Sequence, residues 1–177
     1  MCGICGFTGQ IVDRNETIKN MTDVITHRGP DSDGLFQDDY ISMGFRRLSI
    51  IDLDGGTQPI YNEDKSLVIT FNGEIYNYKI LREQLIKAGH KFYTDTDSEV
   101  LIHGFEEWGE EMLPKLRGMF GFAIYNKNDG SLFIARDFFG IKPMHYTLID
   151  GNLVYGSEIK SILQHPDFKK EFNEKAL

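Results

Sequence analysis

The stretch Phe120-Gly121-Phe122-Ala123-Ile124-Tyr125-Asn126, the connection Lys127-Asn128-Asp129-Gly130 and the run Ser131-Leu132-Phe133-Ile134-Ala135-Arg136 together decide the fold class. Two apolar runs rich in aromatic and β-branched residues flank an Asp-Gly connection, a strong local sign of an antiparallel hairpin. The pattern returns downstream, where residues 143–149 and 152–157 read as strands meeting at Asp150-Gly151. Upstream, residues 2–7, 40–49 and 67–71 also read as strands, the last (Leu-Val-Ile-Thr-Phe) as a buried one. Helical patterns lie between them. In residues 15–26, Ile18, Met21 and Ile25 recur at helical spacing until His27-Arg28-Gly29-Pro30-Asp31 breaks the run. Residues 77–88 place Ile80, Leu81, Leu85 and Ile86 on one face and stop at Gly89. Residues 98–108 form a third helix, capped by Thr96 or Asp97 and ended by Gly109. Helices in the middle, flanked by antiparallel strand pairs, indicate an α+β fold rather than a parallel βαβ sheet.

The chain has 177 residues, enough for one domain with a proper core. It carries 27 acidic against 19 basic residues, a net charge of −8, which argues against nucleic acid or an anionic membrane as partner. No apolar run reaches membrane-spanning length and no secretory signal is visible, so a cytoplasmic location is expected. Residues 158–177 turn polar and helical without a clear stop and read as the start of a linker.

Cys2 is the first candidate for chemistry. Without Met1 it would carry a thiol and a free α-amine together. That amine titrates at about 7.7–8.0 and can serve as base to its own nucleophile. The plain alternative is a small buried residue near a strand start. Cys2 and Cys5 also spell C-x-x-C, but no second ligand pair follows for zinc, and a redox motif would not open the chain. Arg46 and Arg47 enter an apolar run and would point to opposite faces of a strand. The inward one needs a carboxylate, from a substrate or from an internal salt bridge. Asn72-Gly73 reads as a turn after a buried strand, or as an amide and a backbone N–H aimed at one oxyanion. Glu74 is a solvated turn residue or a holder of a substrate ammonium. Asp97 is a helix cap or a second such holder.

The segments Cys2-Gly3-Ile4-Cys5-Gly6, His27-Arg28-Gly29-Pro30-Asp31, Arg47-Leu48-Ser49-Ile50, Phe71-Asn72-Gly73-Glu74-Ile75-Tyr76-Asn77, Asp97-Ser98-Glu99, Gly118-Met119-Phe120, Arg136-Asp137, Gly140-Ile141-Lys142-Pro143 and Ser157-Glu158-Ile159-Lys160 run in order over nearly the whole chain. Together they resemble the class II glutamine amidotransferase family of N-terminal-nucleophile hydrolases. The forms His-Arg-Gly-Pro-Asp and Asn-Gly-Glu-Ile-Tyr-Asn resemble glutamine-hydrolysing asparagine synthetase in particular.

The resemblance implies a four-layer αββα sandwich of two antiparallel sheets. It implies Cys2 as nucleophile on the side-chain amide of L-glutamine, with the Asn72 side chain and the Gly73 N–H holding the oxyanion. Arg47, helped by the backbone of Leu48, Ser49, Ile50 and Ile51, would take the α-carboxylate; Glu74 and Asp97 would take the α-ammonium. No metal or cofactor is implied for this half. ATP and Mg2+ belong to a C-terminal synthetase domain, whose Ser-Gly-Gly-x-Asp-Ser loop does not occur in these 177 residues. Residues 1–160 are then expected to be the glutaminase domain and 161–177 a polar helical tail toward that partner domain. A homodimer is a further arrangement the family allows. Phe45 and Met144-His145-Tyr146 depart from the family pattern, and neither is expected in the substrate's direct surroundings. Retention of Met1 would leave a non-catalytic relative of the same fold.

Overall fold

The computed structural model describes residues 1–48 and 57–171. In chain order the elements are β1 (Gly3–Thr8), α1 (Arg14–Asp23), β2 (Ser32–Gln37), β3 (Ile41–Arg47), β4 (Ile60–Tyr61), β5 (Leu67–Ile75), α2 (Tyr78–Ala88), α3 (Glu99–Trp108), β6 (Gly118–Asn126), β7 (Leu132–Arg136), β8 (His145–Ile149), β9 (Asn152–Gly156) and α4 (Ile159–Ile162). The strands build two antiparallel sheets, ordered β2-β3-β1-β9-β8 and β4-β5-β6-β7.

Side-chain alternation along the strands generates the layers. In β1, Ile4 faces the second sheet while Cys5 and Phe7 pack on Ile18 and Met21 of α1 and Ile162 of α4. In β5, Val68 faces the first sheet, and Leu67, Ile69 and Phe71 pack on Leu81, Leu85, Val100, Leu101 and Ile102 of α2 and α3. The result is helices, sheet, sheet, helices: the αββα sandwich, with a shared apolar layer of Ile4, Ile41, Met43, Phe45, Val68, Ala123, Tyr125 and Tyr155 at its centre.

Both hairpins form. Ile149 pairs with Asn152 across the two-residue loop Asp150-Gly151, with φ values of 48° and 81°. Positive φ at both central positions is the type I′ pattern, which suits the right-handed twist of the strands.

Several sequence expectations need correction. Asn72-Gly73 is not a turn: β5 runs on to Ile75, pairing with β6 as far as Gly118. The glycine serves a close approach instead, since a Cβ on Gly73 would lie 2.2 Å from the Met119 carbonyl oxygen. On α2 only Leu81 and Leu85 are buried; Ile80 and Ile86 are 61% and 51% exposed. Each stands about 100° around the helix from its leucine neighbour, so four residues cannot share one face. Strands β2 and β4 were not legible, and β2 is a polar edge strand of alternating burial. The described part of the C-terminal stretch packs on the domain. Helix α4 has four residues, Ser161 donates to the Met21 carbonyl at 2.9 Å, and Phe168 packs on the outer core. Packing therefore continues past residue 160; residues 172–177 lie outside the described residues. No described helix is long and apolar enough to cross a membrane.

The burial contrast on α2 is measurable. Leu81→Ala should lower unfolding free energy by about 2–5 kcal/mol, and Ile80→Ala should change it by under about 0.5 kcal/mol. Urea denaturation of the two variants would show the difference, and equal losses would contradict the packing described.

Candidate active site

Strand parity brings the candidate residues to one end of the central layer. Cys2 lies two residues before Ile4, Arg47 two after Phe45, and Asn72 and Glu74 four and six after Val68, so all continue the inward faces of β1, β3 and β5. Gly3 pairs with Arg46, which sets Cys2 across from Arg47. Cys2, Arg47, Leu48, Asn72, Gly73, Glu74 and Asp97 line one cavity, together with Gln58, Lys142 and others, of about 130 Å³. Met1 is among its walls. Ser49, Ile50 and Ile51 lie outside the described residues.

Cys2 and the start of β1 are held from three sides. The Leu48 N–H points at the Cys2 Sγ at 3.4 Å, and Arg28 Nε donates to the Cys2 carbonyl at 3.0 Å. Ser157 Oγ accepts from the Ile4 N–H, and Ser157 N donates back to the Ile4 carbonyl. Arg28 in turn pairs with Glu158 at 3.0 Å, as do His27 at 2.8 Å and Lys160 at 3.0 Å. Burial works against the Glu158 charge, yet hydrogen bonds from Lys160, Arg28 and His27 prevail and hold its carboxyl at about 2. Two distant motifs, residues 27–31 and 157–160, thus close on the start of β1. Cys5, three residues on, faces the helices instead. Burial pushes its thiol up to about 12. Both cysteines are free, and their opposite faces rule out a shared ion or disulfide at this pair.

Two donors stand ready on β5. Asn72 is 2% exposed, and its Nδ2 has no hydrogen-bond partner among the described residues. Such an orphan costs about 1–3 kcal/mol in a folded protein. The backbone supplies the second donor. Tyr76 N donates to the Arg117 carbonyl, which makes residues 72, 74 and 76 the hydrogen-bonded partners of the β6 side. The N–H groups of residues 71, 73 and 75 then point to the opposite edge. Phe71 N donates to Gln58 Oε1 at 2.6 Å, and Ile75 N to Asp97 Oδ2 at 2.7 Å. The Gly73 N–H lies between these two, and no described residue accepts it.

The charges are separated. Arg46 turns to the outer face, where it pairs with Asp23 and Asp33. Arg47 turns inward and is buried in the cavity wall. Glu74 and Asp97 come from the second sheet and the approach to α3. Asp97 does not cap α3, which has no side-chain cap; it binds the Ile75 N–H. Burial, with a smaller push from the negative charge of Glu74, raises its carboxyl above the usual carboxylate range.

Three residues carry roles that sequence reasoning missed. Lys142 is a buried ammonium in the cavity wall, 3.0 Å from the Met1 sulfur. Its loop is tied by Asp137, whose carboxylate accepts the N–H groups of Phe120, Ile141 and Lys142. The segment Gly140-Ile141-Lys142-Pro143 was the available signal. Gln58 gave none, because it acts as a backbone mimic, bonding both the N–H and the carbonyl of Phe71. Phe45 also lines the cavity, so this departure from the family pattern lies in the pocket wall.

The comparisons with known proteins agree with this geometry. A family model described as a glutamine amidotransferase domain matches residues 1–177. Glutamine-hydrolyzing asparagine synthetase 1 of Bacillus subtilis (strain 168) is 51% identical over 168 residues, covering 90% of this chain and 27% of that protein. Glutamine-hydrolyzing asparagine synthetase 2 of the same organism is 43% identical over 180 residues, covering 99% of this chain and 24% of its own length. The chain thus spans about a quarter of these curated relatives. Among solved structures, glutamine phosphoribosylpyrophosphate amidotransferase from B. subtilis, complexed with ADP and GMP, superposes with a TM-score of 0.74 at 19% identity, over 91% of this chain and 43% of that one. That likeness is one of fold. With a match along its whole length, the chain belongs to the glutamine amidotransferase domain family.

Proposed function

We propose that this chain hydrolyses L-glutamine to glutamate and ammonia through a thioester on Cys2. The observation that carries the reading is a pair of donors in the same cavity as the thiol: Asn72 Nδ2, without a partner among the described residues, and the Gly73 N–H, on the edge of β5 that faces away from β6. The Cys2 Sγ attacks the amide carbon, and its proton passes to the Cys2 α-amine. Charge develops on the carbonyl oxygen, where the two donors take it up. The amine then protonates the leaving nitrogen, ammonia departs and a γ-glutamyl thioester remains. Water adds to the thioester with the amine again as base, the thiol is restored and glutamate leaves. Arg47 takes the α-carboxylate, and Glu74 and Asp97 take the α-ammonium. A simple amide lacks the α-carboxylate and α-ammonium that these residues would bind, which is the source of selectivity. No metal or cofactor enters these steps.

The ammonia is proposed to serve a C-terminal synthetase domain that uses ATP and Mg2+ to amidate aspartate to asparagine. This finer reading is supported by 51% and 43% identity to proteins named as asparagine synthetases, of which the chain matches only a part. A cytoplasmic location fits the acidic composition and the two free thiols.

Protein beginning at Cys2, verified by intact mass, should release glutamate from glutamine. Cys2→Ala should abolish that release, and so should retention of Met1, which turns the amine into an amide. A Cys2-terminal form that binds no glutamine and leaves it intact would end the proposal. Asn72→Ala should lower kcat by about 10²–10³ with a much smaller change in KM; a pure KM effect would remove Asn72 from the oxyanion site.

Asp97→Asn separates binding from stability, because the amide oxygen can still accept the Ile75 N–H. Loss of a charged partner should raise KM for glutamine by about tenfold or more. The raised Asp97 carboxyl is at ease protonated, so its contribution to stability is present at low pH and is lost as pH rises through its raised value. Above that value, glutamine-free Asp97→Asn should melt higher than wild type, and the gap should close in acid. Thermal melts across the carboxylate range would test the sign.

A further inference from the structure

At the other end of β5 from the thiol, two histidines and two glutamates converge. Glu63 comes from the turn between β4 and β5, His90 from just beyond α2, and His103 and Glu106 from one face of α3. One ligand atom from each lies within 4.8 Å of all the others. The individual separations are tighter. His103 Nδ1 is 3.4 Å from Glu63 Oε2 and 3.8 Å from Glu106 Oε2; His90 Nδ1 is 3.7 Å from Glu63 Oε1 and 3.5 Å from Glu106 Oε2. Ligands about 2.0–2.2 Å from a tetrahedral ion stand about 3.3–3.6 Å apart.

The outer nitrogens of both rings are already engaged. His90 Nε2 lies 3.1 Å from Glu107 Oε2, and His103 Nε2 lies 3.4 Å from Glu99 Oε1. A carboxylate on one ring nitrogen directs the proton there and leaves the other as a lone pair, the arrangement that supports metal-bound histidines. His103 is fully buried, with Phe92 packed on its ring at 4.5 Å, and its Nδ1 has no hydrogen-bond partner among the described residues. A buried lone pair facing carboxylate oxygens is a set of acceptors without a cation. No described lysine or arginine forms a salt bridge with Glu63, Glu99, Glu106 or Glu107. Glu63 and Glu106 retain 28% and 36% side-chain exposure, so an ion can enter from solvent.

We propose that Glu63, His90, His103 and Glu106 form a structural site for a divalent transition ion, zinc by preference. Two imidazoles and two carboxylates suit zinc, and four protein ligands leave no open position for chemistry. The ion joins the β4–β5 turn, the end of α2 and the middle of α3. It is separate from the glutaminase pocket and does not depend on that reading.

The test uses this chain, dialysed against a chelator and then titrated with zinc sulfate, with bound metal read by mass spectrometry of the elements. The expected result is one zinc per chain and a melting temperature raised by about 5–10 °C at a hundredfold excess over Kd. His90→Asn combined with Glu106→Gln, both at partly exposed positions, should lose the zinc and the shift while keeping the zinc-free melting temperature. Cobalt(II) bound in place of zinc should show no thiolate charge-transfer band, which separates this site from Cys2. Glu106→Gln alone, the mildest change, should weaken zinc binding at least tenfold and serves if the double variant does not fold. Sub-stoichiometric zinc in the wild type would overturn the site in favour of a protonated histidine–glutamate network. Unchanged uptake in the variants, or a cobalt–thiolate band, would overturn it as well.

Discussion

Two sheets that pack face to face must fill the space between them, and in this domain the filling stops at one end. Ile4, Phe45 and Val68 supply apolar bulk along the inward faces of β1, β3 and β5. One to three steps further on, the same faces carry Cys2, Arg47, Asn72 and Glu74. Nothing else is needed to gather a nucleophile, a cation, an amide and a carboxylate in one cavity. The pleat of three strands does it, and the register between β1 and β3 sets the alignment. Disturbing the central layer would therefore disturb the site as a unit.

The site is also where the fold is least satisfied. Asn72 Nδ2 is buried without an acceptor among the described residues, the Gly73 N–H stands between two bonded neighbours, and Asp97 is held beside Glu74 with its carboxyl pushed up by burial. Each feature costs stability in the empty domain. In the proposed reaction each would be relieved by one part of a glutamine molecule: the carbonyl oxygen as charge develops, and the ammonium on binding. Rigid surroundings make that cost sustainable. Gln58 clamps Phe71, and Asp137 collects three N–H groups to fix the loop that carries Lys142. Donors that cannot turn away need no reorganisation when charge arrives.

How much of this was legible in the sequence follows from range. The hairpins at Asp129-Gly130 and Asp150-Gly151 are local, and both were readable. The helices showed through Ile18, Met21, Leu81 and Leu85, although Ile80 and Ile86 were misplaced because apolar identity alone does not fix a face. Of the two readings of Asn72-Gly73, the turn fails because the dipeptide's local preference is overruled by nine paired residues of β5. Gln58 and the Glu63–His90–His103–Glu106 cluster were invisible, since their meaning lies in contacts between segments far apart in the chain. Arg46 and Arg47 were separable only as a pair on opposite faces; which one turns inward depends on the whole register of β3.

Maturation at the N-terminus follows from where the anchors sit. Arg28 grips the Cys2 carbonyl, the Leu48 N–H meets the thiol, and Ser157 brackets Ile4. None of these contacts involves Met1. Its side chain touches the pocket through the sulfur on Lys142, more than half of the residue is exposed, and β1 begins only at Gly3. Among the described residues, removing Met1 therefore gives up the weak sulfur contact with Lys142 and leaves these anchors of Cys2 in place. The scaffold, the two β5 donors and the charged walls are in place with Met1 still present. Under the proposed reaction, cleavage would add the one group that folding cannot supply, a free amine on the residue that already carries the thiol.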